Sequence, residues 1–217
     1  DIAIGVANLL GYQFPQNFNQ PYRALSVQDF WRRWHMTLSA WLRDYLYIPL
    51  GGNRGGRLAT YRNILITMGL GGLWHGANWN FVIWGLLHGL ALVVERALGL
   101  TNGERRRWPA WLAWLVTLHF VCLTWVFFRS PTLGDSMDYF RTLFLGGGSG
   151  TLLTPLVAAM FFFGALSQVI PPQWWSRAER WYDEASLIVK IALPALAILA
   201  VAMAAPSGVA PFIYFQF

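Results

Sequence analysis

Charge is scarce in this chain. Only 12% of its 217 residues are Asp, Glu, Lys or Arg, about half the share of an ordinary soluble domain. Cysteine and lysine are scarcer still, with Cys122 and Lys190 the single examples. One cysteine excludes a disulfide within the sequence and any multi-cysteine zinc, iron–sulfur or dithiol motif. The histidines stand at positions 35, 75, 88 and 119. No two of them share a helix face at the three- or four-residue spacing of metal ligands, so no metal site is expected. A glycine loop closed by Lys and Ser/Thr is missing as well, which argues against a phosphate-cradling nucleotide site. The chain begins at Asp1 with no basic, apolar and cleavage-site succession; it is expected to be a fragment of a longer protein.

What is abundant is apolar and aromatic. Hydrophobic residues make up 56%, with 13 Trp, 15 Phe and a mean hydropathy of +0.40. This composition predicts an all-α, polytopic transmembrane protein in a lipid bilayer. The net charge of +6 comes from arginines that mostly flank apolar spans. There they orient helices and meet anionic headgroups, so nucleic acid is not an expected partner.

Four apolar blocks follow a short first one at residues 1–11: 63–98, 108–128, 151–170 and 187–205. Residues 129–150 and 171–186 read as connectors, with Gly146 to Gly150 a flexible turn. Residues 15–62 carry seven arginines against Asp29 and Asp44. Within them, Ser26-Val27-Gln28-Asp29 has the form of a helix start. The helix it opens would bear Phe30, Trp31, Trp34, Leu38, Trp41, Leu42 and Tyr45 on one face, as an interfacial amphipathic helix. It should stop near Pro49-Leu50-Gly51-Gly52. Positive loops place 15–62 and 95–107 on the cytoplasmic side, 129–150 outside, 171–186 inside and the tail 206–217 outside.

The block 63–98 is too long for one span and tight for two. Gly71-Gly72-Leu73-Trp74-His75-Gly76-Ala77-Asn78-Trp79 divides it. A broken or re-entrant hairpin with His75 at its bend is therefore expected. An ionisable residue at membrane depth is costly, and by default it marks a functional site; the plain alternative is a packed, hydrogen-bonded imidazole. His35, between Arg32-Arg33-Trp34 and Met36-Thr37, is a second candidate. Nearby arginines favour its neutral form, and an interfacial histidine on a solvated edge is equally compatible with the pattern. Asn78, three residues after His75, would point the same way on a helix and could orient the imidazole or donate to an oxyanion. His88 and Glu95, seven apart, would share a face and satisfy one another. Asp44 would pair with Arg43, and His119 and Cys122 read as structural or lipid-facing.

Three motifs in order carry a resemblance: Phe30-Trp31-Arg32-Arg33-Trp34-His35, then Trp41-Leu42-Arg43-Asp44-Tyr45-Leu46-Tyr47-Ile48-Pro49-Leu50-Gly51-Gly52-Asn53, then Gly71-Gly72-Leu73-Trp74-His75-Gly76. Together they resemble the membrane-bound O-acyltransferase family, and more narrowly its bacterial polysaccharide branch, the alginate O-acetyltransferase type. The resemblance covers most of residues 12–98, the motif-bearing catalytic region, and the tail Pro211 to Phe217. Residues 99–205 match by hydropathy, and the whole reads as one membrane domain. Family members carry an N-terminal half that these residues lack.

The resemblance implies a multi-pass protein of the bacterial inner membrane that moves acetyl groups toward hydroxyls of an exported polysaccharide. It implies His75 as the catalytic residue and His35 as its partner, with Trp74, Asn78 and Asp44 as possible support. No bound cofactor is expected, and the donor would be acetyl-CoA or an acetyl group derived from it. Partners would include a secreted or periplasmic acetyltransferase and polysaccharide-export proteins. Tyr214, between Phe212 and Phe217, would serve as an acyl relay or as an aromatic-belt anchor. Lipid or protein O-acylation is the alternative activity. A transporter would place its broken helices in a repeated architecture, and none is visible. A purely structural subunit would leave His75 unexplained.

Overall fold

The computed structural model describes residues 2–100, 108–147 and 154–204. Its regular elements are helical, as the composition predicts, with no strand among the described residues. In chain order they are α1 (Ile2–Leu9), α2 (Val27–Trp31), α3 (Met36–Leu42), α4 (Gly56–Leu73), α5 (Trp79–Ala97), α6 (Ala110–Arg129), α7 (Leu133–Leu145), α8 (Pro155–Val169), α9 (Pro172–Glu184) and α10 (Leu187–Ala204). A 3-10 turn at Pro21–Arg23 precedes α2, and a π-helix at Arg43–Tyr47 continues α3. The chain divides into two compact units, residues 1–158 and 159–217.

In the first unit, α4 and α5 pack side by side in opposite directions. Glycines make this possible. A Cβ on Gly72 would collide with the Phe81 carbonyl oxygen, and one on Gly85 with that of Met68. Gly89 in turn faces Met68 and Leu65. Gly85 and Gly89 form a small-xxx-small pair, the pattern that lets apolar helices approach backbone to backbone. Helices α5 and α6 are long and apolar enough to cross a membrane, each on the order of 30 Å. Their buried face mixes polar residues with Trp84 and Val121, and their exposed face is largely apolar. Asn80, His88, Thr117 and Thr124 are buried, while Leu86, Leu90, Val94, Trp111 and Val116 are exposed. That distribution suits lipid outside and polar partners within.

The expected amphipathic helix from Ser26 does not run through. Ser26 caps α2 as predicted, its Oγ accepting from Asp29 N at 2.9 Å. The helix then breaks at His35, which stands at φ 44°, ψ 52°. Helix α3 restarts there and loosens into the π-helix at Arg43, ending just before the predicted Pro49–Gly52 stop. Only the part of the expected face before the break packs as one: Phe30 forms a core with Ala24 and Val121, joined by Trp31, Trp34, Phe120 and Trp125, whereas beyond it Leu42 is buried and Trp41 and Tyr45 are exposed.

Both expected connectors contain helices. Thr132 and Asp135 form a reciprocal capping box that starts α7 inside 129–150. Helix α9 lies within 171–186, with Pro171 as its N-cap and Pro172 as its first residue. In the second unit the Tyr182 hydroxyl donates to Lys190 O at 2.9 Å, and Lys190 Nζ donates to Asp183 O at 2.7 Å, joining α9 to the start of α10. The predicted Gly146–Gly150 turn falls partly outside the described residues.

Candidate active site

The bend between α4 and α5 is residues 74–78, inside the expected break. His75 N donates to Gly72 O at 3.0 Å, Gly76 N to Leu73 O at 3.1 Å and Asn78 N to Gly76 O at 2.9 Å, closing a tight irregular turn. Gly76 takes φ 151°, a conformation that glycine adopts most readily. The turn points His75 inward, only 8% exposed. Four aromatic rings enclose its imidazole: Phe128 at 4.9 Å between centroids, Trp74 at 5.1 Å, Trp84 at 5.5 Å and Phe81 at 6.1 Å. Its buried Nδ1 has no hydrogen-bond partner among the described residues. Buried polar atoms are nearly always paired, so an unpaired one in such a cage is a candidate contact for a ligand.

His35 reaches the same place from another segment. A non-glycine residue at positive φ is uncommon and often marks a functional site. Neighbouring chain over-determines the turn. Met36 N donates to Asn17 O at 2.9 Å, Asn19 N to Arg33 O at 2.8 Å, and the Asn17 side chain accepts from both Thr37 N and Thr37 Oγ1. The His35 ring packs on Phe18 at 6.0 Å and on Trp74 at 6.3 Å. Its Nδ1 is also buried and unpaired among the described residues. Burial pushes this imidazole below histidine's ordinary value, so it is held neutral. Two histidines distant in sequence therefore share one indole, that of Trp74.

Asn78 behaves differently from the expectation. No helix joins it to His75; it is the N-cap of α5, with Oδ1 accepting from Asn80 N at 2.9 Å. Its Nδ2 donates to Pro131 O at 2.9 Å, and Asn80 Nδ2 donates to Ser130 O at 2.8 Å. The two amides tie the bend to the end of α6, which carries Phe128. Asp44 pairs with Arg43 as expected, at 2.7 Å and 3.1 Å, on the exposed π-helix. The Arg43 guanidinium holds the Asp44 carboxyl below the usual carboxylate range, and an exposed pair of this kind adds little stability. Tyr214 lies outside the described residues.

The expected pairing of His88 with Glu95 does not form. Glu95 instead accepts from Val27 N at 2.6 Å and Gln28 N at 2.9 Å, at the start of α2. Those amides lack intrahelical partners and carry the positive end of the helix dipole, so a carboxylate satisfies both needs. His88 binds Trp31 and Thr124. His119 turns its Nδ1 to its own helix at Leu115 O, 2.8 Å away, and Cys122 is exposed.

Sequence reasoning missed Trp84, which is 3% exposed and touches both His75 and His88. The Gly85-x-x-x-Gly89 spacing was its available signal, because a close helix crossing there forces the adjoining tryptophan inward. A second feature also went unread. A cavity of about 640 Å³ is walled by Trp31, Arg32, Arg43, Tyr47, Thr67 and Arg96, among others, and neither His35 nor His75 lines it.

The two histidines that meet on Trp74 lie within a stretch that matches a family profile. The profile of the membrane-bound O-acyltransferase family matches residues 1–129, which hold both histidines. The chain belongs to that family. It is 50% identical over 147 residues to a probable alginate O-acetylase of Pseudomonas aeruginosa, covering 68% of this chain and 28% of that protein. It is 53% identical over 142 residues to a peptidoglycan O-acetyltransferase of Helicobacter pylori, covering 65% and 27%. A probable alginate O-acetylase of Pseudomonas putida is 38% identical across all of this chain and 49% of its own length. The chain thus spans between about a quarter and a half of the curated relatives it matches.

Proposed function

We propose that this chain is the histidine-bearing part of an integral-membrane O-acetyltransferase that moves acetyl groups toward hydroxyls of an exported polysaccharide. The observation that carries the reading is the convergence of His75 and His35 on Trp74, each with a buried, unpaired Nδ1. It is supported by relatives that are named for O-acetylation of alginate and peptidoglycan.

In this reading His75 is the general base. It takes the proton from the attacking hydroxyl as the new C–O bond forms, and the tetrahedral intermediate then expels the donor's leaving group, which recovers a proton. A positioned base of this kind contributes about 10²–10⁴-fold. The aromatic cage excludes water, which limits hydrolysis of the acyl group and strengthens nearby dipoles. His35, held neutral, orients His75 or exchanges its proton, and Trp74 keeps the two in register. Asn78 acts on the bend's position, and Asp44 restrains Arg43. The donor is acetyl-CoA or an acetyl group derived from it, and the arginines of the 640 Å³ cavity suit its phosphates. The protein sits in the bacterial inner membrane as a multi-pass domain, α4 and α5 forming a re-entrant or spanning hairpin whose outer ends, the start of α4 and the end of α5, face the cytoplasm, while residues 27–35 run along α5 from Glu95 to the bend. A secreted acetyltransferase and export proteins receive the product, with Tyr214 serving as an acyl relay or as an aromatic-belt anchor.

The test is transfer of radiolabelled acetyl from acetyl-CoA to polymer by membranes containing the full-length protein. The expected result is loss of transfer in His75→Ala and a marked fall in His35→Ala at equal protein level. Full transfer by His75→Ala would overturn the assignment. Label that accumulates in lipid or protein instead of polymer would move the acceptor to the alternative class.

A further inference from the structure

We infer that His88 is a positioning residue for this transfer, holding through Trp31 and Trp84 the aromatic frame that carries His35 and His75, and exchanging no proton itself. The inference rests on the acyltransferase reading above. His88 is fully buried, at 0% exposure, beside the α4–α5 glycine crossing. Its hydrogen bonds run in one direction only. The Thr124 hydroxyl donates to Val121 O at 2.9 Å, so toward His88 it acts as acceptor, and His88 Nε2–H donates to it at 3.0 Å. That fixes the tautomer with Nδ1 as acceptor, and the Trp31 indole N–H donates to Nδ1 at 3.3 Å. Both ring nitrogens are used. In this His88 differs from His75 and His35, whose Nδ1 atoms have no partner among the described residues.

The ring is also a hub of packing. Trp84 lies 4.9 Å from His88 and 5.5 Å from His75 between centroids, and Trp31 lies 5.8 Å from Trp84. Phe30 and Phe120 cover the remaining sides at 6.0 Å and 5.2 Å. Trp31 ends α2, directly ahead of the turn that presents His35. One imidazole on α5 thus fixes the indole beside His75 and the helix end that leads to His35, and it anchors both to α6 through Thr124. Misplacement of a reacting group by about 1 Å can lower a rate about 100-fold, so the frame matters to the rate even though His88 touches no substrate.

The experiment measures polymer acetylation by membranes carrying the full-length protein, against donor concentration and against pH. Thr124→Val keeps the side chain's shape and removes the acceptor, whereas Thr124→Ser keeps the hydroxyl. We expect Thr124→Val to lower the maximal rate about 10-fold, with the half-saturating donor concentration and the pH profile unchanged, and Thr124→Ser to restore the rate. His88→Gln should behave as Thr124→Val does. A wild-type rate in Thr124→Val reduces His88 to packing, and a shifted pH profile in His88→Gln makes it a proton carrier; either overturns the inference. If His88→Gln fails to accumulate, the Thr124 pair decides alone. Full activity of His75→Ala in the same membranes would sink the acyltransferase reading itself, whatever the Thr124 variants do.

Discussion

Adding a single methyl group at Gly85 should separate the two helices that frame His75. The new Cβ would point into the Met68 carbonyl oxygen and lie 3.2 Å from Gly72 Cα, both backbone atoms that cannot turn aside. The arms must move apart by about 1 Å to reach ordinary contact distance. Overpacking of this kind costs about 1–3 kcal/mol, whereas replacing a helical glycine by alanine gains about 1 kcal/mol in propensity. The steric cost wins, and Gly85→Ala is expected to destabilise by up to about 2 kcal/mol. Gly164, in α8, supplies the control, because nothing lies within 4 Å of its added Cβ; there the propensity gain stands alone. Thermal unfolding of the full-length proteins in detergent should show a lower midpoint for Gly85→Ala and an equal or higher one for Gly164→Ala. Gly85→Ala should also lose polymer acetylation, since the bend that holds His75 joins the separated arms. A midpoint for Gly85→Ala at or above that of Gly164→Ala would refute the glycine-crossing argument.

Three further outcomes follow from the site. His35→Gly should unfold at a higher temperature than His35→Ala, because a left-handed backbone costs a non-glycine residue about 1–2 kcal/mol, while both show a marked fall in acetylation; equal midpoints would show that the φ 44° turn stores no strain. Glu95→Ala should destabilise by about 1–3 kcal/mol, since Val27 N and Gln28 N lose their acceptor, with Glu95→Gln milder; denaturant titration in detergent reads the order, and reversal would contradict the capping role. Because burial lowers the His35 value, the neutral form persists below histidine's ordinary value near 6.5. Acetylation by membranes should therefore stay level from pH 8 down past that value, and fall only below it. A fall already complete at neutral pH would contradict the assignment of neutral imidazoles.

Parts of this picture are written locally and parts are not. The bend at 74–78 was legible because glycines flanking a tryptophan and a histidine interrupt an apolar run. The Ser26 start was legible from its side chain and that of Asp29. The turn at His35 was not, because its left-handed conformation is imposed by Asn17 and Asn19 from a separate stretch of chain. No residue near position 35 announces it. The same holds for Glu95, whose partners are amides of α2 and not the histidine on its own helix. Helix α7 was legible in principle, since Thr132-x-x-Asp135 is a capping signature, but its short amphipathic face was outweighed by flanking glycines. Asn78 shows why spacing alone misleads: three residues put two side chains on one face only where a helix exists, and here the chain is turning. Both histidines were visible as residue types in costly surroundings. Their meeting on Trp74 was not visible, because it depends on the tertiary crossing.

The most direct measurement is the O-acetyl content of exported polymer in cells making the full-length protein, with wild type and His75→Ala compared at equal membrane level. The account predicts unacetylated polymer from the His75→Ala cells, with the variant protein folded and in place. Wild-type acetyl content in those cells would contradict it, leaving His75 as a packed residue in an aromatic cage.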